Sequence, residues 1–339
     1  MHMSRTLLAA GLLSGLAGVL PVAAEDLNIY SSRHYDTDDG LYEAFTKATG
    51  IQVNRLEGEA DELNARMKAE GENSPADILM TVDAGRIWRA EQEGLLQPVE
   101  SDVLEERIPA HLRDPKNEWF GLSQRARLIF YAKDRVANPP QTYEDLADPQ
   151  YKGMICIRSA TNIYNLSLMA SIIAHDGEEA AKSWAEGLLA NLARQPEGGD
   201  IDQLRGLVSG ACDIAVANSY YFARTLAQNV EGVTGHTDEI GIVFPDQETN
   251  GTHVNIAAAG VAVHAKNRDN AIAFLEFMTT PEAQAYFADQ NNEFPVVPGV
   301  PVGKIAASLG SFRQDTLNLD VLGENQTKAQ EIFNEVGFP

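Results

Sequence analysis

Residues 212–221 read Cys212-Asp213-Ile214-Ala215-Val216-Ala217-Asn218-Ser219-Tyr220-Tyr221. An apolar run closes on an Asn-Ser turn, and two tyrosines follow at once. The pattern predicts a buried strand that feeds a helix, the junction at which open α/β sheets place their ligand sites. Two other stretches have the same form. Leu27-Asn28-Ile29-Tyr30-Ser31 runs on to His34-Tyr35, and Met154-Ile155-Cys156-Ile157 runs on to Tyr164 at the opening of a helical segment. In a continuing strand, Tyr220 and Tyr221 would point to opposite faces; past the turn, both can point the same way. A phenolate is a hard anionic oxygen donor, and several converging phenols suit a hard trivalent cation.

Each of these residues also has a plainer reading. Tyr220-Tyr221 can be half-buried packing residues, and Tyr164 can be core beside Leu166, Met169 and Ile172. Tyr35 can pack at a lobe edge while His34 is solvated. Asp38 or Thr37 can cap the helix after Tyr35, and Asp83 can cap the helix after the strand at 77–82. Arg125 and Arg127 flank Ala126 on a long strand and so project to one face. There they either hold an anion and ionise a neighbouring phenol, or form a surface salt-bridge pair.

Working outward, strand-like runs at 27–31, 51–56 and 77–82 alternate with helical segments at 38–49, 59–70 and 83–93, which implies a largely parallel sheet with helices on both faces. Gly50 is placed to end the first helix. After the long strand at 122–133, strands are expected at 151–158, 212–217 and 239–244, with helices at 162–175, 178–193 and 201–208 between them. A further strand covers 254–263, in which Gly260 suggests a close backbone approach. Helices at 269–278, 281–288 and 325–336 complete the chain. The chain is expected to cross between lobes near 124–127 and to return near 246–254. The fold class is therefore α/β and two-lobed with two hinge crossovers. One lobe would hold residues 25–125 with 250–300, and the other 126–249 with 301–339, with the ligand in the cleft between them.

Bulk properties narrow the function. Residues 1–24 read as a signal peptide: Arg5 starts it, 7–20 are apolar, and Val22-Ala23-Ala24 give a small-residue cleavage pattern before Glu25. The expectation is an exported, periplasmic protein. The formal net charge of −23 argues against nucleic acid or an anionic membrane as partner. Cys156 and Cys212 are the two cysteines; in an oxidising compartment they form either one disulfide or a pair of buried thiols. No HExxH, GxSxG or GxxxxGK[ST] motif occurs, so an enzyme is not expected.

Five stretches together resemble the periplasmic ferric-iron-binding proteins of ABC importers, the bacterial transferrins, and specifically their tyrosine-rich group. They are residues 29–35 (Ile29 to Tyr35), 74–78 (Ser74 to Ile78), 121–127 (Gly121 to Arg127), 158–165 (Arg158 to Asn165) and 216–221 (Val216 to Tyr221). The resemblance implies a type II periplasmic-binding-protein fold with Fe(III) held between lobes. It implies Tyr35, Tyr164, Tyr220 and Tyr221 as ligands, His34 as a fifth, Arg125 beside the iron or its anion, and carbonate or another anion completing the shell. Arg127 and Asp83 are further candidates to assist. The partner it implies is an inner-membrane ABC permease, served by a monomer. The rival within the same fold is a binding protein for an oxyanion or small organic solute, using Arg125 and helix N-termini.

Overall fold

The computed structural model describes residues 26–33 and 35–339. The signal-peptide reading and His34 lie outside the described residues. The first part alternates as expected: β1 (Asp26–Ser31), α1 (Asp39–Thr49), β2 (Gln52–Glu57), α2 (Ala60–Glu70), β3 (Ile78–Val82) and α3 (Ala84–Gln92). Gly50 ends α1 in the left-handed region at φ 81°, where a residue without Cβ carries no steric penalty. A short α4 (Asp102–Arg107), which the sequence reading lacks, precedes the long β4 (Phe120–Ala132).

The second part contains β5 (Ile155–Cys156), α5 (Ile163–Asp176), α6 (Glu178–Ala190), α7 (Asp200–Ser209), β6 (Ile214–Asn218), α8 (Ser219–Ala227) and β7 (Ile240–Val243). The strand expected at 151–158 is thus reduced to two residues, because Pro149–Tyr151 form a 3-10 turn instead. Then come β8 (Val254–Val261), α9 (Arg268–Met278), α10 (Pro281–Gln290), α11 (Lys304–Ser308), α12 (Asp320–Glu324) and α13 (Gln326–Glu335).

The sheet order is β2-β1-β3-β8-β4-β6-β5, with β7 on β4. The expectation of a largely parallel sheet needs correction. β1 is parallel to β2 and β3, and β5 to β6, but β8 runs antiparallel to β3 and β4, and β6 and β7 run antiparallel to β4. β8 follows β7 with no helix between them, and without a helical crossover a strand need not be parallel to its neighbours.

β4 changes partner in its middle. Arg125 and Ala126 pair with Asn255 and Val254 of β8, whereas Arg127 and Leu128 pair with Asn218 and Ala217 of β6. The N–H of Ala126, at the point of exchange, donates to Ser219 Oγ at 3.2 Å. Gly260 of β8 does meet a close backbone approach, since a Cβ there would collide with the carbonyl oxygen of Glu118. One apolar core gathers around β1, β3 and β8 with α1 and α9; two others lie around β6 and the second half of β4. Cys156 and Cys212 are joined as a disulfide, with Cα atoms 5.8 Å apart. No helix among the described residues is long and apolar enough to cross a membrane.

Candidate metal centre

β6 is buried along its whole length, and α8 begins at Ser219 directly after it. Tyr220 and Tyr221 therefore occupy the first turn of α8 rather than the strand. Their rings lie 4.2 Å apart between centroids, tilted by 31°, so both sit on one side of the helix start. Tyr164 occupies the equivalent place in α5, whose N-cap Asn162 accepts the Tyr164 N–H at 3.2 Å. Tyr35 precedes the short 3-10 turn Asp36–Asp38 after β1.

These strand ends converge. The hydroxyl oxygens of Tyr35 and Tyr220 are 3.5 Å apart, and those of Tyr164 and Tyr220 are also 3.5 Å apart. In an octahedral shell with oxygens at about 2.0–2.1 Å, neighbouring oxygens stand about 3 Å apart and opposite ones about 4 Å. The spacing thus fits oxygens that can share one small cation. Tyr221 belongs to the same group through its ring contact with Tyr220. A cavity of about 500 Å³ opens beside it, lined by Tyr35, Tyr220, Arg224, Gln228, Asn291 and Glu293 among others.

Burial holds Tyr35, Tyr220 and Tyr221 in their neutral form. It is the largest influence raising the pKa of Tyr35, Tyr220 and Tyr221 above the ordinary phenol value. For Tyr35 the Glu293 carboxylate adds to the rise while Arg33 opposes it; for Tyr220 the neighbouring phenols add to it. A trivalent cation at the centre reverses this preference, because its charge stabilises phenolate directly.

Behind the phenols lies a buried ionic frame. Arg33 grips Asp38 with Nε at 2.6 Å and Nη2 at 3.1 Å, and its Nη1 lies 2.9 Å from Glu293. Arg125 Nη2 donates to the other oxygen of Glu293 at 3.1 Å, and Ser123 Oγ donates to Glu293 at 2.8 Å. Burial alone pushes the Glu293 carboxyl up, but the two arginines and the Ser123 hydroxyl outweigh it and hold it below the ordinary range. Arg127 binds Asp200 at 2.8 Å, Asn218 at 3.2 Å and Asn165 at 2.9 Å. The Arg33 guanidinium lies 4.7 Å from the Tyr35 ring centre, Arg125 5.9 Å from that of Tyr220, and Arg127 and Arg158 5.8 and 5.3 Å from that of Tyr164. Four guanidiniums here face Asp38, Asp200 and Glu293. The surplus positive charge lowers the cost of gathering several phenolates at one point.

Several sequence expectations change on this geometry. The surface-pair reading of Arg125 and Arg127 fails, since both are buried. Asp38 does not cap α1; its carboxylate is taken by Arg33. Asp83 does cap α3 through the Gly85 N–H at 2.9 Å, and it also accepts from Ser167 and Asn255. Sequence reasoning missed Arg33, Asp38, Asn165, Asp200 and Glu293. Arg33 stood inside a quoted motif, next to His34. Nothing local marks Glu293, which follows the positive-φ residue Asn292 (φ 56°) in a short irregular segment. Arg125 Nε and Nη1 are buried and make no hydrogen bond among the described residues, which leaves two donors suited to an anion.

The fold is shared with known proteins. The pattern of the bacterial extracellular solute-binding protein family matches residues 73–307. Iron uptake protein A1 of Synechocystis sp. is 48% identical over 320 residues, covering 94% of this chain and 89% of the relative. A Trichodesmium protein (IdiA, FutA), solved in complex with iron and citrate ligands, superposes with a TM-score of 0.89 at 49% identity, covering 93% of this chain and 100% of the other. The ferric binding protein of Campylobacter jejuni superposes with a TM-score of 0.86 at 43% identity, covering 92% and 100%. The architecture shared with these structures is the type II periplasmic-binding-protein fold. The chain belongs to the bacterial extracellular solute-binding protein family.

Proposed function

We propose that this protein binds ferric iron through the phenolates of Tyr35, Tyr164, Tyr220 and Tyr221 and hands it to an inner-membrane ABC permease. The observation that carries this reading is the meeting of hydroxyls from three separate strand ends at 3.5 Å spacings. Its support from relatives is their naming as iron uptake and ferric iron-binding proteins. Phenolates offset the 3+ charge, and the arginine-rich frame keeps their own mutual repulsion in check. Arg125, through Nε and Nη1, supports an anion such as carbonate at the metal. His34, adjacent to Tyr35, is the fifth ligand of this reading. The lobes follow the β4 partner exchange: residues 25–125 with 250–300 on one side, 126–249 with 301–339 on the other. Opening about this exchange, with the closed form selected by the metal, gives uptake and release.

Titration of purified protein with ferric salt tests the proposal. One equivalent should produce a red-orange phenolate-to-iron charge-transfer band, and Y220F/Y221F should lose it while remaining folded. Colourless protein with an unchanged Tm would overturn the reading. Calorimetry with phosphate, sulfate and polyamines, expected to show no binding, tests the oxyanion or organic-solute rival.

A further inference from the structure

Away from the phenols, the structure gathers Glu91 of α3, Asp114 of the loop before β4, and Asp320 of α12. One carboxylate oxygen of each lies within 4.8 Å of the others. The three residues come from separate elements, and α12 is seated on α3 by Gly323, where a Cβ would overlap the Trp88 side chain. Two of the three are buried, Asp114 at 0% exposure and Glu91 at 7%, while Asp320 is half-buried.

Two of the cluster's oxygens are left without a hydrogen bond among the described residues. Asp114 Oδ2 accepts the N–H groups of Lys116 and Glu118 at 3.0 and 2.8 Å. Its Oδ1 is buried and makes no hydrogen bond among the described residues, and the same holds for Asp320 Oδ1. Glu91 accepts from Trp119 Nε1 at 3.2 Å, from Lys116 Nζ at 3.0 Å and from Gln92 Nε2 at 3.3 Å. Among the described residues, Lys116 is the one cation in ion-pair contact with the cluster. Its side chain is 66% exposed, so it can swing into water at little cost.

An unpartnered buried carboxylate oxygen is costly, and two within one group of three carboxylates are more so. Glu118 and Glu324 add negative charge from outside. Burial first, then the charges of Asp114, Glu91 and Glu324, push the Asp320 carboxyl up to about 7. The arrangement either keeps a proton near neutrality or takes a cation. Hard carboxylate oxygens at this spacing, with room for a lysine ammonium beside them, match an oxygen-seeking divalent ion.

We propose that Glu91, Asp114 and Asp320 form a second cation site, for a hard divalent ion of the calcium class, which replaces the Lys116 ammonium. The ion ties α12 to α3 and to the loop before β4. Because α12 also packs on α5, whose first turn carries Tyr164, occupancy steadies the helix that presents one of the phenols. The site shares no residue with the phenol cluster and does not depend on the ferric reading.

The test is calorimetric titration of EDTA-treated protein with Ca²⁺, repeated with Mg²⁺ and Mn²⁺, alongside thermal melting. Wild type should bind one equivalent of Ca²⁺ and melt a few degrees higher with it. D114N and D320N should each weaken binding at least tenfold while still developing the ferric colour. Y220F/Y221F should bind Ca²⁺ as wild type does. K116M, a change at an exposed side chain, should strengthen binding by removing the competing ammonium. A wild type that binds none of the three ions, a D320N as tight as wild type, or no gain in K116M would each overturn the proposal in favour of a proton-sharing acidic cluster.

Discussion

The hydroxyl oxygens of Tyr35 and Tyr220 lie 3.5 Å apart, although 185 positions separate the two residues. One follows β1 and the other opens α8, so the contact spans the point at which β4 exchanges β8 for β6. Two neutral phenols at this distance gain at most a weak hydrogen bond, whereas two phenolates bridged by a trivalent ion gain far more. Y35F should therefore weaken ferric binding at least tenfold, read by competition with citrate, out of proportion to any change in the melting temperature of the metal-free protein. A large loss of metal-free stability with intact binding would mark Tyr35 as a packing residue.

Ferric binding should strengthen as pH rises. Burial raises the pKa of Tyr35, Tyr220 and Tyr221, so at neutral pH these phenols carry protons that the metal must displace. Each phenol ionised on binding contributes up to about a tenfold change in apparent affinity per pH unit. Citrate competition at pH 5.5, 6.5 and 7.5 should give affinities that climb with pH once the ligand's own protonation is allowed for. A flat profile would mean that the ligands are not phenols.

The strand-to-helix junctions carrying the four tyrosines were legible because each rests on local signals: an apolar run, a turn, then a helix start. The disulfide could not be separated from two buried thiols, since pairing depends on how close β5 comes to the segment after α7. The ionic frame was illegible for the same reason. Glu293 meets Arg33 and Arg125 across 260 and 168 positions only because the segment after α10 folds back against β4. The antiparallel placing of β8 between β3 and β4 likewise leaves no mark in a βαβ rhythm. Asp38 looked like a cap because acidic residues favour helix starts, but a buried guanidinium is the stronger claimant.

Glu293 serves two buried arginines, so E293Q should expose the difference between holding charge and supplying shape. Removing one partner from a buried ion pair costs about 3–5 kcal/mol because the other charge is left uncompensated. Asp38 still serves Arg33, which puts the expected loss for E293Q near the lower end, about 3 kcal/mol by urea denaturation. The Glu293 charge also raises the pKa of Tyr35. The same variant should therefore keep its ferric colour to lower pH than wild type. Unchanged stability would show that Arg125 had found another partner.

The disulfide closes a loop across 56 positions and joins β5 to the segment between α7 and β6. By chain entropy, a loop of that length is worth about 4 kcal/mol. Cys156→Ser with Cys212→Ser should cost that much or somewhat less. Wild type treated with a strong reductant under denaturation should lose a similar amount. Gly206 packs directly on the bridge, since a Cβ there would press on both sulfurs. G206A should consequently destabilise oxidised protein more than the serine double variant. Equal costs would show that Gly206 is sized for its helix alone.

His253 should shape the acid limb of stability. It stands beside the β4 partner exchange, and its carbonyl accepts the Arg127 N–H at 3.0 Å. Burial lowers its imidazole to about 4, with Arg127 and His175 adding to the fall and Asp315 opposing it. An unfolded histidine titrates near 6.5, so between about 6.5 and 4 the unfolded chain binds the proton and the folded chain does not. Stability from this residue is complete above about 6.5 and is lost as pH falls through that window, reaching about 3 kcal/mol below 4. Asp246 and Asp320 act in the opposite sense. Burial and neighbouring carboxylates push each to about 7, so the folded form holds their protons and gains stability as pH drops below 7. Wild type alone therefore gives a mixed curve, and the difference between wild type and H253Q isolates the imidazole. Urea denaturation at pH 7.5 and at pH 4.5 should find H253Q less stable than or equal to wild type at the higher pH, and its deficit smaller, or reversed, at the lower. Parallel curves would mean that His253 takes up its proton as readily in the folded protein as in the unfolded chain, with Asp315 offsetting its burial.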